Sequence, residues 1–352
     1  MAVKKKRALA LVAGASVIAF LAGCSAGSTD GGSADGGPIA FVSFGGALQE
    51  GGEAAYAEPF TAATGIEVIS DGPTDYAKLR SMVEADQVSW DVVEGDPFFA
   101  IRECGTLVEP IDTSIVDTSH LPAEFVSECA VPSIGVADIL LYDNTKFTSD
   151  VPTSWADFFD TKKFPGKRAL WSDVYAGNLE IALLADGVAP EDLYPLDVER
   201  AIAKYDTIKD DLVFWDSGAQ SQQLMASQEV AMLWAWSGRA YDAIKNGAPF
   251  SAVFDQNLMV PNAWMVPKGS KNVEAAMEFI AYATSAEAQT KIAELIPYAP
   301  TNDQADPQLD ELGLEFLPTS AANKATQVSV DFAWWADNYE ASQKSWDAWR
   351  IG

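Results

Sequence analysis

Hydrophobic positions along this chain fall into short alternating runs separated by stretches with helical spacing. "IAFVSF" (39–44) has the strand pattern, and after Gly45-Gly46 the spacing predicts a helix over 47–63 that stops at Gly65. "IEVIS" (66–70) predicts a second strand, a helix follows around 75–86, and "WDVVEGD" (90–96) predicts a short buried strand breaking into a loop. Further strands are predicted at "ILLYD" (139–143), "RALW" (168–171), "LVFW" (212–215), "VAMLWAW" (230–236) and "AWMVP" (263–267). Helices are predicted at about 177–186, 197–206, 218–227, 239–246 and 272–283. Strands alternating with helices imply an α/β protein with parallel sheets and crossover helices. About 315 residues follow Pro38, more than one hydrophobic core normally serves, so two domains are expected.

The first residues are patterned differently. Lys4, Lys5, Lys6 and Arg7 precede an apolar run from Ala8 to Leu21, too short to span roughly 30 Å of hydrocarbon. A basic segment before a short apolar one predicts a secretory signal, residues 1–23. Leu21-Ala22-Gly23-Cys24 resembles the bacterial lipobox, which implies cleavage before Cys24 and lipidation of that cysteine. Residues 24–37 are mostly Gly, Ser, Ala and Asp with no large apolar residue after Cys24, so they predict a flexible tether. The expected location is extracytoplasmic, with a lipid anchor as the only membrane contact.

Charge and cysteine content narrow the partners. The chain carries 51 acidic and 23 basic residues; loss of residues 1–23 removes four basic and no acidic ones, moving the formal charge from −28 to −32. So acidic a chain is not expected to bind nucleic acid, whose affinity comes largely from neutralised phosphates. With Cys24 assigned to the anchor, Cys104 and Cys129 remain, and outside the cytoplasm they are expected to form a disulfide. Two thiols and the single His120 cannot fill a structural zinc shell, and neither a metal nor a cofactor is expected.

Polar residues cluster where the predicted strands end: Ser43 to Gly46, Glu94 to Asp96, Trp215 to Gly218 and Trp236 to Arg239. In open α/β sheets the ligand crevice lies beyond the carboxyl ends of strands, so these ends predict one cleft.

Several fragments occur together and in order: "SFGGALQE", "FTAATGIEV", "GTLVEPID", "PTSWADFFDTKKFPGKRALW", "FWDSGAQSQQLMASQEVAMLWAWSGRAYDAIKNGAP", "VPKGSKN", "AMEFIAYATSAEAQ" and "PYAPTN". As a set they resemble the substrate-binding proteins of bacterial ABC importers, in the spermidine/putrescine-type branch. The resemblance implies a two-lobed periplasmic-binding-protein-like α/β fold of type II topology, with a hinge and an interlobe cleft. It implies a lobe 1 from 38–140 and 258–305, and a lobe 2 from 141–257 and 306–352. The implied partners are a small solute and an ABC permease with its ATPase; a monomer without enzymatic activity is expected.

Such a site needs an aromatic platform, fixed polar groups and closure against water. Trp236 is the platform candidate, since polyamine-binding relatives have a ligand-touching Trp there. Ser237 precedes a helix whose free N–H groups favour an anion, and Arg239 suits a bidentate contact to a carboxylate. Phe44, Gly45 and Gly46 occupy the first strand–helix turn, where glycine allows close backbone approach. Glu94, Asp96 and Asp173 are candidate partners for an amine, and Ser217 is a candidate helix cap and cleft residue. Asn262 stands where polyamine binders carry an Asp, and one secure acid, Asp173, replaces an Asp–Glu pair. These departures point away from spermidine and putrescine, toward a smaller or zwitterionic amine, an amino-acid-like solute, or a carboxylate held by Arg239. A sugar-binding importer protein and a true polyamine binder remain alternatives. A secreted hydrolase is the more distant one, since no phosphate loop or nucleophile elbow occurs.

Overall fold

The computed structural model describes residues 37–352. The expected signal, Cys24 and all but the last tether residue lie outside the described residues. Among the described residues ten strands form one sheet: β1 Ile39–Val42, β2 Val68–Asp71, β3 Val92–Gly95, β4 Val131–Asp143, β5 Arg168–Trp171, β6 Leu212–Trp215, β7 Met232–Trp236, β8 Phe250–Met265, β9 Ala299–Pro300 and β10 Val328–Ser329. Their order is β2-β1-β3-β8-β4-β7-β5-β6, with β9 beside β4 and β10 beside β8.

The α/β class holds, but the sheet is not parallel throughout. Pairing is parallel within β2-β1-β3 and within β7-β5-β6. It is antiparallel at β3/β8, β8/β4 and β4/β7. Two parallel trios thus run in opposite directions on either side of two long central strands. Those strands exceed the predicted segments 139–143 and 263–267, because β4 is 13 residues and β8 is 16 residues long. Pro132, Gly135 and Asp138 interrupt the alternation in β4, and Asp255, Gln256, Asn257, Pro261 and Asn262 do so in β8. The ladder accommodates these residues with register shifts at Pro132/Gly135 and Asp138/Leu140.

Helical segments follow their local signals closely. The predicted helix after β1 forms as Gly46–Gly52, a wide turn Glu53–Ala57 and Glu58–Thr64. Gly65 stops it in the left-handed region at φ 79°, its N–H donating to Thr61 O at 2.9 Å. The C-terminal helix Phe332–Ile351 is anchored by Trp335 and Trp346, both fully buried. Each such side chain contributes about 1.5–3 kcal/mol of burial, and neither wastes its indole N–H. Trp335 donates to Glu180 Oε1 at 2.8 Å and Trp346 to Ser172 O at 2.9 Å.

Two apolar cores flank the central strands. One gathers Ile39, Phe41, Phe60, Trp264 and Phe279 with Ile280 and Ile292. The larger gathers Leu170, Trp215, Trp234, Trp335 and Trp346 with Leu141 and Met232. Cys104 and Cys129 form a disulfide that ties the chain after helix Pro97–Arg102 to the residues just before β4.

Candidate functional site

The register of the central strands explains where a cleft arises. β3 ends at Gly95 opposite Ala263 of β8. β7, arriving from the other direction, ends at Trp236 opposite Asp138 of β4, which itself faces Leu258 of β8. The carboxyl ends of both trios therefore converge over a few residues of β4 and β8, where loops beyond strand ends enclose a crevice. Val136 and Asp138 share one face of β4, and Val260 and Asn262 one face of β8, because side chains alternate with period two. All four line the same cavity. Phe44, Leu48 and Asp96 join from the first trio; Trp171, Tyr175, Ala176, Trp236 and Arg239 join from the second, with Tyr298 from the segment before β9.

An arginine and two acids reach the cavity from different elements. Arg239, on helix Ser237–Lys245, reaches the first strand–helix turn, where Nη2 donates to Gly45 O at 2.7 Å. Its Nε has no partner among the described residues. Two glycines make room for the guanidinium. A Cβ on Gly46 (φ 55°) would lie 2.8 Å from Nη1, and one on Gly218 would collide with Nε. Asp138 lies against the loop after β5, where a Cβ on Gly177 would stand 3.3 Å from its Oδ2. Asp138 is 1% exposed, and neither carboxylate oxygen has a hydrogen-bond partner among the described residues. Burial, with the nearby Glu180 and Asp96 carboxylates, pushes its carboxyl well above the usual range.

Asp96 is the second acid of the cleft. The Tyr76 hydroxyl donates to its Oδ2 at 2.5 Å and accepts from its N–H at 2.7 Å. Burial outweighs that bond and, helped by Asp173, pushes the carboxyl up to about 7. The aromatic wall is built at the ends of β5, β6 and β7. Trp236 meets Trp171 edge-on at 5.2 Å and Trp215 edge-on at 5.1 Å between ring centroids, and Phe44 lies 6.3 Å from Trp236. An outer chamber shares Phe44, Asp96, Trp171, Tyr175 and Trp236 with the inner one and adds Tyr76, Phe98, Asp173, Ser217 and Tyr339.

The structure brings together Phe44, Asp96, Trp236, Arg239 and Asn262 in the inner cavity, with Gly45 and Gly46 behind the guanidinium. Asp173 and Ser217 face the outer chamber. Asp173 is already engaged, accepting from Tyr175 N–H at 2.8 Å and Tyr339 Oη at 2.7 Å. Ser217 caps its helix, accepting from Gln220 N–H at 3.3 Å. Gly45 and Gly46 line neither chamber themselves, and the same is true of Glu94 and Ser237. Glu94 is still within the β3/β8 ladder, so its side chain stands behind Asn262 rather than beyond the strand end. Ser237 turns its hydroxyl onto β4, accepting from Ala137 N–H at 3.3 Å.

Asp138, Trp171, Tyr175 and Tyr298 also line the cavity, and the strand-end reasoning misses them. The signal for Asp138 was a lone acid inside the apolar run "IGVADILLY". No local pattern singles out Tyr298, which reaches the cavity through β9 pairing with β4.

The cleft presents charged, amide and aromatic side chains to one space, as binding of a small solute requires. Residues 55–315 match the family model of bacterial extracellular solute-binding proteins, and the chain belongs to that family. It is 37% identical over 322 residues to a gamma-aminobutyric acid-binding protein of Pseudomonas aeruginosa, covering 88% of this chain and 90% of the relative. A solved GABA receptor structure is 41% identical, with a TM-score of 0.80 and coverage of 89% of this chain and 97% of its own. The binding protein AgtB of A. tumefaciens, solved in complex with agropinic acid, is 35% identical with a TM-score of 0.82, covering 90% of this chain and 99% of its own. These neighbours are two-lobed periplasmic binding proteins that serve ABC importers and are not enzymes. The same membership implies an extracytoplasmic location. The resemblance thus holds at the level of the family, and these relatives' names carry GABA and agropinic acid rather than a polyamine.

Proposed function

We propose that this chain captures an ω-amino acid zwitterion, with 4-aminobutyrate the first candidate, and delivers it to an ABC permease. The observation that carries the reading is Asp138, whose two buried, unpartnered oxygens share a cavity with the Arg239 guanidinium. A buried carboxylate without partners is costly and an ammonium group relieves that cost, while guanidinium suits a carboxylate at the other end. The amine end meets Asp138 and Asp96, the carboxylate end meets Arg239, and the methylenes lie against Trp171, Trp236 and Phe44. A polyamine would leave Arg239 facing a cation, and a neutral sugar would leave both charges unanswered.

The solute closes between lobe 1 (38–140 with 258–305) and lobe 2 (141–257 with 306–352), the connections at β4 and β8 acting as the hinge. Cys24 and the tether hold a monomer near its permease; this part of the reading rests on the sequence. Isothermal titration of the mature domain with 4-aminobutyrate, butyrate, putrescine, glutarate and glucose tests the function. The expected result is selective binding of 4-aminobutyrate. Butyrate binding as tightly, or putrescine more tightly, overturns the zwitterion reading.

A further inference from the structure

Glu94 does not line the cavity, yet it is among the most buried acids of the chain, 1% exposed. It stands opposite Trp264 in the β3/β8 ladder, which makes Asn262 its diagonal neighbour on the same face. Ser133 of β4 completes a polar row across three adjacent strands. Glu94 Oε1 accepts from Ser133 Oγ at 2.6 Å and from Asn262 Nδ2 at 3.2 Å.

This geometry fixes which way the Asn262 amide points. An amide has a donor end and an acceptor end, and the hydrogen-bond network decides between them. Oε1 already accepts from Ser133 Oγ while Oε2 has no partner, so in the ionised form, and in the neutral form with its proton on Oε2, Oε1 is an acceptor and the NH2 group faces Glu94. Asn262 lines the cavity, and its carbonyl Oδ1 is therefore the atom turned toward the solute. Without that anchor the amide is free to rotate and offer its NH2 group instead, which suits a carboxylate rather than an ammonium.

We infer that Glu94 is a positioning residue that sets the polarity of Asn262, so that the cavity presents carbonyl Oδ1 beside Asp96 and Asp138 to the amine of the ligand. This rests on the zwitterion reading above. An ammonium has three donors, and these three acceptors match that number. Selection for an amine over a second carboxylate then depends on a residue that never touches the solute.

The test is a double-mutant cycle on the mature domain, with titration of 4-aminobutyrate and glutarate. Glu94→Met removes the acceptor while keeping the side-chain length. It is expected to weaken 4-aminobutyrate binding about tenfold and to narrow the preference over glutarate by a similar factor. Asn262→Ala should cost a similar factor, and the double variant should cost no more than either alone, because Glu94 acts through Asn262. An unchanged affinity in Glu94→Met, or losses that multiply in the double variant, overturns the proposal. Nuclear Overhauser contacts in the wild-type protein provide a measurement independent of the variants' folding. The Asn262 Nδ2 protons should remain close to the Glu94 γ-protons with and without 4-aminobutyrate. Contacts from those protons to the ligand instead overturn the inferred orientation. If the wild-type protein does not bind 4-aminobutyrate, the zwitterion reading itself fails; binding with a silent Glu94→Met variant removes only the role of Glu94.

Discussion

Asp138→Asn separates the binding role of this residue from any role in folding, because the two should move in opposite directions. In the ligand-free protein both carboxylate oxygens are buried without partners among the described residues. Burial and the adjacent Glu180 and Asp96 carboxylates favour its neutral form. Asn is close in shape to that neutral form, so the substitution should leave the ligand-free melting temperature unchanged or raise it by a few degrees. With ligand bound, the ammonium loses a charge-assisted hydrogen bond worth about 1.5–3 kcal/mol, which corresponds to roughly 10- to 150-fold weaker binding. The wild-type site should also release protons as the amine ionises Asp138. Titrations in buffers of different ionisation enthalpy measure that release, and Asp138→Asn should reduce it. A variant that melts well below the wild type, or that keeps full affinity, refutes the assignment of Asp138 to the amine end.

The remaining predictions concern the other end of the site and its acids. Arg239→Lys keeps the charge but cannot serve both Gly45 O and a bidentate carboxylate, so 4-aminobutyrate should bind about 10- to 100-fold more weakly by titration. Gly218→Ala places a methyl against Arg239 Nε and should lower affinity more than melting temperature, measured side by side. Glu94 and Asp96 are both raised by burial to about 7. Stability from these two groups is therefore fully present below their unfolded values and is lost as pH rises through about 7. The ligand-free protein should melt higher at pH 5 than at pH 8, and 4-aminobutyrate should narrow that difference by favouring ionised Asp96. A ligand-free stability that rises from pH 5 to 8 would contradict this assignment.

Much of the fold was legible because its signals are local. Gly65 ends a helix by its own left-handed conformation, and "RALW", "LVFW" and "VAMLWAW" read as buried strands from their composition. The central strands were less legible, because Pro132, Gly135, Pro261 and the polar Asp255–Asn257 stretch hide pairings set by the opposite strand. The strand-end rule located Phe44, Asp96, Trp236 and Arg239, each in or just beyond a strand terminus. It misplaced Glu94 by the difference between the last rungs of a ladder and the first residue after it. Asp138 escaped because nothing near it in sequence shows that β7 will bring Arg239 and its helix to the same cavity. Orientation of an amide such as Asn262 depends on a partner 168 positions away.

The two glycines beside Arg239 tie its rotamer to two other positions. A side chain at 218 would meet the stem of Arg239 at Nε and Cδ and force the whole arm to move, whereas one at 46 would meet only the flexible guanidinium end. The room for this arginine is therefore held by two positions that have no side chain, and loss of Arg239 would relieve the steric demand on both.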